Sequence, residues 1–99
     1  MLGDASDWKV AIVERGRCGH IDYSEGENAL QFYWELGGDG VIAIILGTLP
    51  DEWDDAHPWA RGRAREIMLR VAGEVVRLRA PGCRFDLDEV RSTIYVLAR

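Results

Sequence analysis

Ninety-nine residues with a net charge of −5 and 47% apolar side chains, four tryptophans among them, set narrow bounds. The length suits a single domain over residues 1–99 with a small core, and the aromatic and β-branched content excludes a disordered chain. The negative balance argues against nucleic acid held by a general positive field, and no apolar run nears the roughly 20 residues of a membrane span.

The opening, Met1-Leu-Gly-Asp-Ala-Ser-Asp7, has acids where a signal peptide needs a basic region and then an apolar one, so a cytoplasmic protein is expected, and its compactness suggests a bacterial one. Trp8 to Glu14 reads as the first strand, with Trp8, Val10 and Ile12 on one face. Arg15-Gly-Arg-Cys-Gly19 is a turn, His20 to Ser24 a short weaker strand, and Glu25-Gly-Glu-Asn28 the next turn. The strongest signal follows. In Ala29–Leu36, Leu30, Phe32, Trp34 and Leu36 alternate with Gln31, Tyr33 and Glu35, the period of a half-buried strand. After Gly37-Gly-Asp-Gly40, the run Val41–Leu46 is apolar at every position, which predicts a central strand covered on both faces.

Pro50 ends strand character. Thr48 is read as the N-cap of a short helix over residues 51–56, with Pro50 near its first position. Pro58 is expected to open the main helix, which runs to Arg79. Ala60, Ala64, Ile67, Val71, Val75 and Leu78 form its core stripe. Arg63, Arg70 and Arg77 interleave with Glu66 and Glu74 on the other side, the pattern of a salt-bridged solvent face rather than a phosphate-tracking one. Met68, Leu69, Ala72 and Val76 widen the apolar arc beyond what one sheet needs. Leu69 and Val76 are therefore the expected subunit interface of a homodimer. Pro81-Gly82 ends the helix. Cys83 to Leu87 and Thr93 to Ala98 read as the last strands. The sum is an α+β two-layer sandwich, an antiparallel meander of four to six strands with one long helix packed on one face.

Charge divides along the chain. Residues 1–57 hold twelve acids against Lys9, Arg15 and Arg17, and residues 58–99 hold nine arginines against five acids. Either the two halves pair within the molecule, or copies attract one another head to tail, or the acidic half meets a basic partner. Cys18 and Cys83, far apart and without a secretion signal, read as free thiols. Cys18 and His20 lack the third orienting group and oxyanion donors of a thiol enzyme.

One loop concentrates functional side chains. Asp51-Glu-Trp-Asp-Asp-Ala-His57 brings four carboxylates and an imidazole within seven residues, with Trp53 and Trp59 flanking His57. It lacks the spacing of a calcium loop or a zincin helix, so no metal or cofactor is expected. Trp53, Asp54, Asp55, His57 and Trp59 are the candidate binding residues, since Trp is enriched at interaction hot spots. The structural alternative is that the acids serve a helix N-terminus and the indoles pin the helix to the sheet. The function expected is protein–protein interaction, as an accessory subunit, a regulator or an immunity-type partner, without enzymatic activity. The competing reading is a small enzyme or a metal- or small-ligand-binding protein. Asp54, Asp55 and His57 would be its ligands or acid–base groups, and Trp53 and Trp59 its walls.

Overall fold

The computed structural model describes residues 7–99. Six antiparallel strands form one sheet: β1 (Trp8–Arg15), β2 (Cys18–Glu25), β3 (Asn28–Leu36), β4 (Val41–Leu46), β5 (Arg84–Asp88) and β6 (Thr93–Leu97). Their order is β1-β2-β3-β4-β6-β5. The first four form a meander, and the last strand inserts between β4 and β5. Between β4 and β5 lie α1 (Pro50–Ala56), a 3-10 turn over Pro58–Ala60 and α2 (Ala64–Arg79). The α+β two-layer arrangement expected from the periodicities is the one observed.

Strand alternation places Ile21, Tyr23, Leu30, Phe32, Trp34, Ile45, Ile94 and Val96 on the inner face, all buried. Against them pack Ile67, Met68, Val71, Ala72 and Val75 of α2, with Trp53 and Ala60 from the preceding segment. Each strand's second residue set points to the outer face. Leu46 there is 39% exposed and Tyr33 44%. The expectation that β4 is covered on both faces is therefore overturned. The strand is central in the sheet, but the helices cover only its Ala43 and Ile45 side.

The β3–β4 turn has positive φ at both Asp39 (54°) and Gly40 (91°), the pair that a tight hairpin needs, and Val41 N–H donates to Gly38 C=O at 3.1 Å. The β4–β6 register shifts between Val41 and Ala43. Ile42 is the extra residue, and it joins Ala43 in lining a cavity beneath α2.

Two helix boundaries differ from expectation. The main helix begins at Ala64, not Pro58, because Gly62 adopts φ +75° and breaks the run after a single 3-10 turn. The N-cap of α1 is Leu49, whose side chain cannot cap; the Thr48 hydroxyl is engaged elsewhere. Leu78, counted in the core stripe, is 39% exposed one residue before the helix ends. Arg77 and Arg79 lie in the last turn of α2 and Glu66 in the first, each at the end its charge favours.

Candidate functional site

The loop that gathers the candidate side chains is built around Trp53. Its indole is buried, and its Nε1–H donates to Ala60 C=O at 2.9 Å. Pro50 at the first position starts α1, and Asp51 and Glu52 follow in the first turn. His57 N–H donates to Trp53 C=O at 2.8 Å and closes the helix. The His57 ring meets the Trp53 indole edge-on, centroids 4.9 Å apart. His57 Nε2 and Thr48 Oγ1 share a hydrogen bond of 2.9 Å. Burial pushes the imidazole pKa down, so the ring is neutral at pH 7.

The remaining candidates turn away from that centre. Asp54 accepts a hydrogen bond from Gly62 N–H at 2.9 Å and lies 3.7 Å from Arg61, stitching α1 to the turn before α2. Asp55 is exposed. Trp59 is half-buried and stacks on Tyr23, with centroids 6.5 Å apart and planes 8° from parallel. Among the described residues no three His, Cys, Asp or Glu side chains group to hold a metal ion. The five residues 53, 54, 55, 57 and 59 thus do not share one cavity. Trp53 offers no surface to a partner, while Asp55 and one edge of Trp59 do. Of the expected subunit interface, Val76 packs against the core and Leu69 is half-buried beside it.

Sequence reasoning missed a second cluster, where the two charged halves of the chain meet. Glu25, at the end of β2, receives Arg63 through Nη1 at 2.9 Å and Nη2 at 2.6 Å. Arg70 Nη1 donates to the same carboxylate and to the Tyr23 hydroxyl, each at 2.8 Å. The Tyr23 hydroxyl donates in turn to Glu25 at 2.7 Å. Glu66 closes the set, pairing with Arg63 at 3.0 Å and Arg70 at 2.9 Å. The Arg63 hydrogen bonds hold the Glu25 carboxyl down at about 2, against the opposing pull of burial. The Arg70 guanidinium lies 5.3 Å from the centre of the Trp8 ring, which itself stacks on Tyr23. Arg79 similarly reaches Glu14 of β1 at 2.6 Å. Arg63, Arg70 and Arg79 therefore direct their charge to the strand acids Glu25 and Glu14, while Arg65 and Arg77 pair with Glu89 and Glu74. The advance signs were the i,i+4 spacing of Glu66 and Arg70, which points to that one pair, and the opposite net charge of the two halves, which named none of the pairs to Glu25.

The cluster is self-satisfied: two arginines, two glutamates and one phenol bond one another. The outer face of the sheet is different. Two complete cross-strand rows run over it. One is Arg15, Cys18, Glu35, Ile44, Tyr95 and Asp86; the other is Val13, His20, Tyr33, Leu46, Thr93 and Asp88. The first carries Ile44 and Tyr95 between Glu35 and Asp86, with Arg15 at its far end; the second carries Tyr33 and Leu46 at its middle, then buried Thr93 and, at one end, Asp88. A shallow groove of about 440 Å³ opens beside Tyr33 and Leu46, between His20 and Thr48. Comparison of the chain with protein-family models, with curated proteins and with solved structures finds no match in any of the three.

Proposed function

We propose that this protein works by protein–protein contact and that the outer sheet face makes the contact. One observation carries the reading. A central strand with an unbroken apolar sequence leaves Ile44 and Leu46 on a face that no described helix covers, with Tyr33 and Tyr95 beside them. Exposed apolar and aromatic side chains grouped on one surface and rimmed by charge are the composition of an interface centre.

The occupant that fits the charge pattern is a second copy of the chain. Two antiparallel sheets pack face to face about 10 Å apart with strands nearly aligned. A two-fold axis running along the strands between β3 and β4 lays β1 of one copy over β5 of the other. Arg15 and Asp86 stand at opposite ends of one cross-strand row, so that axis brings each over the other, twice per dimer. The mixed signs on this face suit self-complementarity better than a uniformly basic partner.

Sedimentation velocity over a concentration series tests this. A dimer should form, and Leu46→Asp should give a folded monomer, since the side chain lies outside the core. Arg15→Asp should weaken the dimer, and adding Asp86→Arg should restore it. A wild-type monomer at millimolar concentration, or a dimer indifferent to all of these changes, overturns the reading.

A further inference from the structure

The helix layer and the sheet do not close fully at one end. Near the last turn of α2 they enclose a cavity of about 220 Å³. Its walls are apolar: Ile12, Trp34, Ile42, Ala43, Val75 and Ala80 among them. Leu36 and Ile42, each about two-fifths exposed, stand at its rim. The charged lining groups are Glu14 and Arg79, an ion pair that is half open to solvent. Arg79 uses Nε for Glu14, and its two terminal nitrogens bond nothing among the described residues. A guanidinium so held presents a planar two-donor fork, the geometry that matches a carboxylate.

We infer that this cavity is a binding site for a small amphiphilic carboxylate, with the apolar body inside and the carboxylate on the free fork of Arg79. The size sets the body. An apolar cavity of about 150 Å³ holds one benzene ring, so this one admits about eight or nine non-hydrogen atoms. The lining sets the chemistry. With no polar group at its depth, the cavity gives no hydrogen bond to a polar body and no incentive for water to stay. The rim sets the sign. Glu14 already occupies one edge of the guanidinium and repels a second anion there, so the entering carboxylate takes the end-on fork. The β-bulge at Ile42 is the backbone device that makes the mouth, since it turns two consecutive residues toward the same side. This site lies on the helix side of the sheet, away from the outer face, and stands or falls independently of self-association.

The test is an NMR titration of the ¹⁵N-labelled full chain with two probes of equal body, octanoate and octan-1-ol. Both should give saturable shifts confined to residues around Ile12, Ala43 and Val75, with octanoate the tighter. Arg79→Gln should weaken octanoate by about tenfold and leave octan-1-ol unchanged, the loss expected for one charge-assisted contact. Ala43→Leu, which puts a larger side chain into the cavity, should abolish both. Ile42→Phe, at the rim and outside the close-packed core, serves where Ala43→Leu does not fold. Shifts that are absent, that spread over the surface without saturating, or that survive in both plugged variants overturn the site. Octanoate binding that ignores Arg79→Gln overturns the carboxylate assignment.

Discussion

Arg63 and Glu25 lie 38 residues apart in the chain and are joined by two parallel hydrogen bonds of 2.9 and 2.6 Å. This fork ties the residue before α2 to the end of β2, and through Arg70 and Glu66 it fixes the first two turns of the helix over the sheet. The helix start has no side-chain cap. The ion-pair cluster performs the anchoring a cap would otherwise supply.

Replacing Glu25 by Gln should therefore cost far more than an ordinary surface change. It leaves Arg63 and Arg70 facing each other with one carboxylate fewer, in a cluster that is less than one-third exposed at Arg63, Arg70 and Glu25. The expected loss is about 2–4 kcal/mol, measured by urea unfolding. A loss within a few tenths of wild type would mean that packing alone places the helix.

The same carboxylate gives the fold a defined acid limit. Its folded-state pKa, about 2, lies below the ordinary 4.5. The stabilisation is therefore fully present above pH 4.5 and disappears as pH falls through about 2. It amounts to no more than about 3 kcal/mol. Chemical denaturation between pH 6 and 2 should show that loss in wild type, and Glu25→Gln should flatten it. His57, whose burial lowers its pKa, adds a loss of the same sign at higher pH. Its lowered pKa means that the unfolded state protonates first on acidification.

Trp53→Ala tests how the α1 loop is built. The ring is 1% exposed and bonded to Ala60, so its loss bears on the fold as well as on any contact. The cost should be about 3–5 kcal/mol, a large share of a small domain's stability. Trp59→Ala removes a half-buried ring stacked on Tyr23 and should cost about 1–2 kcal/mol. Thermal melts of the two variants separate the roles; equal losses would show that the indoles are equivalent anchors.

Gly19 is a packing position as well as a turn neighbour. A Cβ there would meet the Val13 carbonyl and stand 2.9 Å from Trp34 Nε1. That carbonyl accepts the Trp34 indole hydrogen bond at 3.1 Å. Gly19→Ala should push β1 from β2 and cost about 1–3 kcal/mol. Trp34 fluorescence should change with it, and an unchanged spectrum and melt would mean that the β1–β2 pair yields without loss.

The strands were legible wherever alternation is strict. Leu30, Phe32, Trp34 and the run Val41–Leu46 marked β3 and β4 because each inward side chain in β3 is apolar and each turn carries glycine. Pattern failed where one sequence serves two environments. Val41–Leu46 is apolar throughout whether its second face meets a helix, a partner or water, so exposure on that face was invisible. The helix start was obscured because Pro58 is as good an opening residue as any, and only the left-handed Gly62 stops the run. Composition gathers Trp53, Asp54 and His57 within five residues but does not say what each one bonds. Their hydrogen bonds to Ala60, Gly62 and Thr48 show three side chains closing a loop. The pairing of Arg63 and Arg70 with Glu25 depends on the strand order and is not written in any local pattern.

The place of β6 between β4 and β5 has a consequence for biogenesis. Until residues 93–97 emerge, the apolar β4 keeps one unpaired edge, and the helix has only four of the six strands to rest on. A nascent or truncated chain in that condition carries a sticky edge. A premature stop anywhere before Thr93 should therefore yield an aggregate rather than a smaller folded fragment.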